Sequence, residues 1–330
     1  MQIVPEWAEQ SSVLVVVPPR ESDWSSCFEE VVEFYINLIK LMSQYGHITV
    51  TATDDLILKE LPKNSNISAF KITTNDTWVR DFGPITVIQD NKPLFLDFGF
   101  NGWGLKFASN YDNQFTKELK KVAFFEYKYN LADIILEGGS IEYDGNGTIM
   151  TTSECLLSPN RNPHLSKEDI NKKLKEYFGV QNILWVNHGY LAGDYTDSHI
   201  DTLARFCPEN TIAYVQCLDV DDEHYQELFL MQEELKSFKN IDGKSYNLVP
   251  LPMTRAIYDE DDYRLPATYA NFLIMNSVVI MPTYNDPNDE LAKLQLQKCF
   301  KDKEVVTIDC SVLIKQHGSL HCSTMQIPKG

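Results

Sequence analysis

Residues 11–17 read "SSVLVVV", and residues 24–46 read "WSSCFEEVVEFYINLIKLMSQYG". The first stretch is a run of β-branched and apolar residues, which is typical of a buried strand. The second stretch carries an apolar stripe at helical spacing and stops at Gly46, which indicates an amphipathic helix. The two stretches therefore predict a strand followed by a helix, the basic unit of an α/β fold.

Strand-and-helix groups of the same kind recur along the chain. The run "SKEDINKKLKEYFG" (166–179) predicts a helix that begins with a capping box from Ser166 and Asp169 and ends at a glycine. The run "DIILEGGSIEYDGNGTIMTT" (133–152) predicts a hairpin that turns at Asp144–Gly147. We count five groups, each of roughly 60 to 70 residues, which is longer than one βαβ unit.

No low-complexity linker separates these groups. We therefore predict a single catalytic domain over residues 1–330, built from five ββαβ-like repeats. Periodic units without a linker favour a closed, radially repeated α/β architecture. A doubly wound α/β sheet is the alternative, although no GxGxxG motif follows the first strand to suggest a bound dinucleotide.

Composition narrows the classes of partner. The formal net charge is −18 and the isoelectric point is about 4.8, so repulsion of phosphates argues against nucleic acid. An acidic cleft would attract a cationic ligand, although many cytosolic proteins are acidic for solubility alone. The seven cysteines form no CxxC pair, and no apolar run is long enough to span a membrane or to serve as a signal segment. We expect a reduced, cytoplasmic protein without a membrane partner.

Four stretches place acidic, histidine or cysteine residues beside glycines or aromatic residues. They are "TWVRDFGP" (77–84), "LEGGSIEYDGNG" (136–147), "DYTDSHIDTLARF" (194–206) and "HGSLHCSTMQ" (317–326). Turns after apolar strands usually have generic polarity, so this concentration of reactive side chains marks candidate functional segments.

Two of these stretches supply acids close to apolar strands. In an extended backbone His199 and Asp201 would project to the same side, although Asp201 could equally cap a helix beginning at "DTLARF". Glu137 follows an apolar run and precedes two glycines, so it is expected to be buried. A buried glutamate must be paired or protonated, and a structural ion pair with an arginine or lysine is the alternative to a functional role.

The other two stretches contain an aspartate and a thiol. Asp81 follows Arg80 and lies near Trp78, where it could face a cavity or form an Asx turn before a proline. Cys322 could be an inert core residue, a nucleophile activated by an imidazole, or a zinc ligand together with His317 and His321. Gly318 and the serine-rich flank argue against the helix that the zinc spacing would need.

Taken together, the four stretches predict one site that contains a thiol, an imidazole and three carboxylates. So much negative charge would oppose the oxyanion of an ordinary cysteine protease or amidase. It suits a substrate that is itself a permanent cation. A guanidinium group is planar, stays protonated and presents five N–H donors, so two carboxylates can hold it by paired hydrogen bonds.

Long segments of the chain resemble the agmatine deiminases of the guanidino-group modifying superfamily and their bacterial peptidylarginine-deiminase relatives. The resemblance covers nearly the whole chain and is carried in order by "VPEWAEQSSVLVVVPP", "TWVRDFGP", "FLDFGFNGWGLKF", "LEGGSIEYDGNGTIMTTSECLLSPNRNP", "HIDTLARF", "PATYANFLIMNSVVIMPTYNDPND" and "LHCSTMQIP". It implies a five-bladed, pseudo-symmetric α/β propeller, the pentein fold, with the site on the pseudo-fivefold axis.

The resemblance also implies roles for individual positions. It makes Cys322 the nucleophile and His199 the general acid and base, with Glu137 orienting His199 and touching the substrate. It makes Asp81 and Asp201 the clamp for the guanidinium. It also implies that Trp78 forms part of the wall around the alkyl tail and that Gly318 helps to frame the site.

The implied reaction is the hydrolysis of agmatine to N-carbamoylputrescine and ammonia through a covalent amidino-cysteine, with no metal and no cofactor. Free arginine or peptidyl-arginine are alternative substrates, and a non-catalytic cation-binding protein is the alternative of another class. A homodimer is implied by the family. The chain departs from the family pattern at Gln316 and His317, where glycines are common, and at Ser198, so tail specificity could differ.

Overall fold

The structure is a computed structural model and describes residues 1–329. Its strands are β1 (Gln2–Ile3), β2 (Gln10–Val17), β3 (Ile48–Ala52), β4 (Ile67–Lys71), β5 (Ile85–Gln89), β6 (Lys92–Gly99), β7 (Lys128–Ile135), β8 (Ile141–Tyr143), β9 (Thr148–Thr152), β10 (Asn182–Val186), β11 (Ala204–Cys207), β12 (Thr211–Gln216), β13 (Asn247–Pro252), β14 (Leu273–Ile274), β15 (Val278–Thr283), β16 (Glu304–Asp309) and β17 (Thr324–Pro328).

Helices alternate with these strands. They are α1 (Phe28–Met42), α2 (Asp55–Glu60), α3 (Val79–Phe82), α4 (Gly102–Leu105), α5 (Phe115–Val122), α6 (Ser153–Leu156), α7 (Lys167–Phe178), α8 (Tyr225–Ser237) and α9 (Asp289–Cys299). Short 3-10 turns complete the described elements at Ser25–Cys27, Asp112–Gln114, Gly138–Ser140, Ile200–Thr202 and Leu313–Gln316.

The strands of residues 1–329 form five separate sheets. Their strand orders are β1-β5-β6-β7, β10-β9-β8, β11-β12-β13, β14-β15-β16 and β17-β2-β3-β4. Each sheet contains an antiparallel pair and then a parallel pair joined by a crossover that includes a helix, such as α8 between β12 and β13. The alternative of one doubly wound sheet is therefore wrong, and the five groups inferred from the sequence correspond to five sheets in a mixed α/β fold.

Local sequence signals explain how individual elements begin and end. Ser166 and Asp169 form the predicted capping box of α7, and Gly179 closes that helix in the left-handed conformation with φ of 67°. Strands β8 and β9 pair antiparallel across the predicted turn at Asp144–Gly147. The upstream part of the predicted hairpin is different, because residues 133–135 belong to β7 in another sheet.

The two ends of the chain are tied into sheets formed by other parts of the sequence. Strand β17 pairs antiparallel with β2, and β1 pairs with β5. Strand β2 is buried along almost its whole length, from Val13 to Val17, as expected for a strand covered on both faces. These pairings bring the cysteine-bearing turn before β17 and the segment after β1 into the interior. None of the helices within residues 1–329 combines the length and apolar character needed to cross a membrane.

Candidate active site

The predicted site residues lie in turns between elements, and these turns meet in the interior. Asp81 lies in the short helix α3, and Glu137 follows β7. His199 and Asp201 lie at the 3-10 turn before β11, and Cys322 lies in the turn before β17. All five are buried, with at most 5% of their surface exposed.

Gly139 marks the point where three of these side chains converge. A Cβ atom at this position would lie 2.7 Å from His199 Nδ1, 2.8 Å from Asp81 Oδ1 and 3.0 Å from Asp201 Oδ2. Such contacts are too close for a real carbon atom, so only glycine leaves room for the imidazole and the two carboxylates around one point. The second glycine of "LEGGS" is therefore part of the site.

His199 and Asp201 do come together, although not by the predicted route. An extended backbone was expected to project them to one side, but Asp201 lies inside the 3-10 turn Ile200–Thr202, and His199 precedes it. No α-helix begins at "DTLARF", because β11 starts at Ala204. The turn, and not the two-residue period of a strand, aims both side chains at Gly139.

His199 is buried, and within residues 1–329 both of its ring nitrogens lack a hydrogen-bond partner. Its Nδ1 lies 3.5 Å from Asp81 Oδ1. Burial lowers the pKa of His199 to about 3, against the opposing pull of Asp201, so the ring is neutral at physiological pH. A neutral imidazole with free nitrogens can accept a proton in the site.

The two aspartates are held in different ways. Asp81 accepts hydrogen bonds from Trp103 Nε1 at 2.8 Å and from the Gly139 amide at 3.0 Å. Burial and the neighbouring Asp201 nevertheless raise the pKa of Asp81 well above its usual range. The Asp81 oxygens are bound by these two donors, so the alternative of an Asx turn is wrong.

Asp201 accepts a hydrogen bond from His321 Nδ1 at 2.6 Å through Oδ2, while its Oδ1 has no partner in the described part of the chain. Burial alone would raise the pKa of Asp201, but the hydrogen bond and charge of His321 hold it below the usual range. One clamp carboxylate therefore favours the ionised state, and it presents a free oxygen.

Cys322 lies beside Asp201, with Sγ 3.8 Å from Oδ2. Its amide donates to Asn271 Oδ1 at 3.2 Å, and its carbonyl accepts from the Arg80 amide at 3.1 Å, which together fix the turn. Burial and the charges of Asp201 and Asp81 raise the pKa of the Cys322 thiol well above its usual range. These effects favour the protonated thiol.

Glu137 forms an ion pair, as the alternative interpretation of that residue anticipated. Arg161 Nε lies 2.9 Å and 3.0 Å from its two oxygens, and Arg161 also binds Asp197 at 2.6 Å. Burial raises the pKa of Glu137 despite this pairing. Within residues 1–329 no hydrogen bond joins Glu137 to His199, although the two side chains belong to a group whose potential ligand atoms lie within 4.8 Å of one another.

A pocket of roughly 500 Å³, including its open mouth, leads to Cys322. Aromatic rings of Trp78, Trp103, Phe107 and Tyr195 line it. A Cβ atom at Gly318 would collide with the Trp78 ring, so the glycine lets this wall approach the cysteine. Three carboxylates also line the pocket, those of Asp23, Asp76 and Asp81. Among residues 1–329, no arginine or lysine lines it.

The zinc alternative is not supported by the geometry. His317 Nδ1 lies 2.8 Å from the Gly193 carbonyl at the mouth, whereas the His321 ring lies between Asp201 and Glu6. Within residues 1–329 the grouped potential ligands are instead Glu137 with Cys155 and His199, and Glu6 with Glu142 and His321. In both groups the glutamates form ion pairs with an arginine. Arg161 pairs with Glu137, and Arg205 pairs with Glu6 and Glu142.

Several contact residues were not singled out from the sequence. Asn271 binds the turn of Cys322, Trp103 binds Asp81, and Arg161 binds Glu137. Asn271 and Trp103 lie in the quoted segments "PATYANFLIMN" and "FLDFGFNGWGLKF", which was the available signal. Nothing in a single sequence indicates that Arg161 pairs with a residue 24 positions away.

Comparison with known proteins gives consistent matches along the whole chain. The profile of Porphyromonas-type peptidyl-arginine deiminases matches residues 2–328. The agmatine deiminase of Pseudomonas aeruginosa (strain LESB58) is 31% identical, covering 98% of this chain and 94% of that enzyme.

Solved structures of agmatine deiminases are similar to this chain along its whole length. A variant of C. jejuni agmatine deiminase with substrate bound has a TM-score of 0.95 at 41% identity, covering 100% of this chain and 96% of the other. Agmatine deiminase of Enterococcus faecalis has a TM-score of 0.92 at 30% identity, covering 99% and 96%. A dimethylarginine dimethylaminohydrolase, 13% identical with a TM-score of 0.53 and coverage of 97% and 100%, shares the fold alone. The chain therefore belongs to the Porphyromonas-type peptidyl-arginine deiminase family, and agmatine deiminases are among its relatives.

Proposed function

We propose that this protein hydrolyses agmatine to N-carbamoylputrescine and ammonia through a covalent intermediate on Cys322. The observation that carries the proposal is the convergence of Asp81, Asp201 and His199 around Gly139, with the thiol 3.8 Å from Asp201. Two carboxylates at this spot suit a planar cation with several N–H donors. The curated relatives and the substrate-bound neighbour named as agmatine deiminases support the same substrate.

In the first step the guanidinium enters between Asp81 and Asp201, and its positive charge offsets part of the negative charge of the site. The same positive charge lowers the pKa of the Cys322 thiol, which passes its proton to the neutral His199. The thiolate then forms a bond to the guanidinium carbon. His199 gives its proton to the leaving nitrogen, the C–N bond breaks, and ammonia departs from an amidino-cysteine.

In the second step a water molecule loses a proton to His199 and attacks the same carbon. The C–S bond breaks, the thiolate leaves and is reprotonated, and the ureido product remains. We propose that Glu137 helps to orient His199 and contacts the substrate. The ion pair with Arg161 would anchor the Glu137 carboxylate at this place. The potential ligand atoms of Glu137 and His199 lie within 4.8 Å of each other, which supports an approach of the two side chains. The chemistry rests on the thiol and the imidazole, without a metal or a cofactor.

The chemistry of the pocket favours a substrate whose tail is an amine. Free arginine would need a cation for its carboxylate, and the arginines that could supply one are engaged elsewhere. Arg80 binds Glu6, Arg161 binds Glu137 and Asp197, and Arg205 binds Glu6 and Glu142. The carboxylates of Asp23 and Asp76 line the pocket and suit an ammonium group.

Peptidyl-arginine is the second candidate substrate, because the family profile carries that description. Purified protein incubated separately with agmatine, arginine and a capped arginine peptide distinguishes the candidates when ammonia and ureido product are measured. We expect product from agmatine. Product from the peptide alone would replace the proposed substrate, and product from none would favour a cation-binding protein without catalysis. Mass spectrometry of acid-quenched enzyme should detect the amidino adduct on the tryptic peptide that contains Cys322.

We further propose that the five sheets are the blades of one five-bladed propeller, and that residues 1–330 form one domain. The pairing of β17 with β2 supports this arrangement, because the last strand completes the sheet begun near the N-terminus. The repeated antiparallel-then-parallel order of the sheets also supports it. A homodimer in the cytoplasm completes the proposal. The seven unpaired cysteines suit a reducing compartment, and light scattering tests the dimer.

A further inference from the structure

Three side chains connect the floor of the pocket to the rear of the protein. Asp201 Oδ2 lies 2.6 Å from His321 Nδ1, and His321 Nε2 lies 2.7 Å from Glu6 Oε1. His321 and Asp201 are fully buried, whereas the Glu6 side chain is 22% exposed. Glu6 lines a second cavity that Cys322 does not line. The connection therefore links the clamp to a residue from the N-terminal segment, 315 positions away from His321.

The far end of this connection is fixed by cations. Glu6 Oε1 accepts from Arg80 Nη1 at 2.9 Å, and Glu6 Oε2 accepts from Arg205 Nη2 at 2.6 Å. The amide of Gln326 donates to Glu6 at 3.1 Å. Arg205 Nη2 also lies 3.0 Å from His321 Nε2. The side of the imidazole away from the pocket is thus held by groups that are themselves paired.

The position of one proton follows from a distance. The contact of 2.6 Å between His321 Nδ1 and Asp201 Oδ2 needs a proton between the nitrogen and the oxygen, so Nδ1 donates to Asp201. On the other side of the ring Nε2 lies near Glu6 Oε1 and near the donor Arg205 Nη2, while burial and the charges of Arg205 and Arg80 lower the pKa of His321. Asp201 stays a carboxylate, and its Oδ1, which has no partner, is free for a ligand.

We propose that His321 is a positioning residue that holds the Asp201 carboxylate for the guanidinium, and that Glu6 fixes the His321 ring from the rear. The inference rests on the proposed function, because it explains how one of the two clamp carboxylates is aimed and kept ionised. His321 is next to the nucleophile in the sequence, and its ring nitrogens contact Asp201 and Glu6, so His321 and Cys322 meet at the same oxygen of Asp201.

The charged and titratable groups around Asp201 set the expected pH dependence. His321, His199 and Arg205 favour its ionised form, and burial opposes it. Asp81, Asp194 and Cys322 also interact with Asp201, through repulsion of like charge when they are ionised. Loss of the His321 donor removes a contact that favours the carboxylate, whereas burial is unchanged, so the pKa of Asp201 should rise. The acid limb of the pH profile of kcat/KM should then move to higher pH.

Two amide substitutions separate positioning from a general structural role. The amide nitrogen of His321→Asn occupies about the place of Nδ1 and can still donate to Asp201, whereas that of His321→Gln occupies about the place of Nε2. We expect His321→Asn to keep kcat/KM for agmatine within about tenfold. His321→Gln should lose about 10²-fold, mainly through a higher KM, because hydrogen bonds to charged groups are among the strong ones. The proposal would be overturned if the two variants lost the same amount of kcat/KM and had acid limbs at the same pH.

Glu142→Gln provides the matched control, because Glu142 is a buried carboxylate that pairs with Arg205 and, within residues 1–329, forms no hydrogen bond with His321. We expect its acid limb to stay where it is in the wild-type protein. A shift as large as that of His321→Gln would show that the general field of the buried network, and not the contact with Asp201, is responsible.

A spectroscopic measurement does not depend on turnover. In nitrogen-15 NMR of histidine-labelled protein several rings should carry a proton on Nδ1, because His188, His224 and His317 also place Nδ1 beside an oxygen. We expect one slowly exchanging Nδ1 proton to be missing in folded His321→Asn, and an unchanged set of Nδ1 protons contradicts the inference. If that proton is lost in the variant but agmatine gives no ammonia with the wild-type protein, the proposed function fails and the contact stands, to be tested by calorimetry with guanidinium ion.

Discussion

The floor of the pocket and its mouth are built from different kinds of residue. Asp81 and Cys322 line the floor, and together with the neighbouring His199 and Asp201 they are at most 5% exposed. At the mouth, Tyr195 is 46% exposed, and His317 is held by its ring contact with Tyr195 at 4.1 Å and by the Gly193 carbonyl. Buried, mutually bonded groups fix the geometry that bond breaking needs, whereas exposed groups can change without disturbing it. We therefore expect chemistry to depend on the floor and substrate choice to depend on the mouth.

Replacing the thiol tests the floor most severely. Cys322→Ala should lower kcat by roughly 10⁴-fold or more, because no other group can form the covalent intermediate. Steady-state ammonia release measures the loss, and circular dichroism checks the fold. The control Cys217→Ala removes a cysteine that does not line the pocket and should change kcat less than threefold. Normal turnover in Cys322→Ala would remove the central assignment.

Asp81→Asn should separate binding from stability. The loss of one clamp charge should lower kcat/KM for agmatine by about 10²-fold, which corresponds to about 2.7 kcal/mol. The raised pKa of Asp81 means that the folded protein holds this proton more tightly than the unfolded chain. Stability therefore falls as pH rises through the folded-state pKa, and a neutral amide relieves that cost.

We expect the Tm of Asp81→Asn, measured by calorimetry at pH 8, to exceed that of the wild-type protein by about 1 to 2 °C, or roughly 1 kcal/mol. The difference should shrink as pH falls, since the wild-type carboxyl is then protonated. A lower Tm at every pH, or an unchanged kcat/KM, would contradict the clamp.

At the mouth, neighbouring residues should respond in opposite ways. His317 has φ of 67°, which glycine adopts without strain, so His317→Gly should fold well and widen the entrance. We expect the ratio of kcat/KM for a capped arginine to that for agmatine to rise about tenfold. Gly318→Ala should instead impair both substrates, because its Cβ collides with the Trp78 ring. An unchanged ratio in His317→Gly would place selectivity elsewhere.

Asp76 should give the smallest effect. Burial raises the pKa of Asp76 to about 6, so its attraction for an ammonium tail is present above that pH and is lost as pH falls through it. Asp76→Asn should raise KM for agmatine about threefold at pH 8 and hardly at all at pH 5. An alkylguanidine without the amine serves as the control substrate, and its KM should be the same in both proteins. Equal effects on the two substrates would mean that Asp76 does not recognise the tail.

The local features were predictable because they depend on neighbours in the sequence. The capping box of α7 and the turn between β8 and β9 are formed by residues a few positions apart, and both were found where predicted. The grouping of Asp81, Glu137, His199, Asp201 and Cys322 was inferred from residue types and from the family resemblance. Their backbone was less predictable, since the extended arrangement of His199 and Asp201 was wrong and a 3-10 turn takes its place.

By itself, the sequence determined the elements, the α/β class and the set of reactive residues, because periodicity, caps and glycines act over short distances. Only the tertiary structure decided which charges meet. It paired Glu137 with Arg161, turned His321 toward Glu6 and left the pocket lined by carboxylates without a lysine or arginine. The physical reason is that a buried charge is stabilised by whichever partner the packing brings within a few ångströms. In this protein such partners can be far apart in the sequence, as Glu6 and His321 are, at 315 positions.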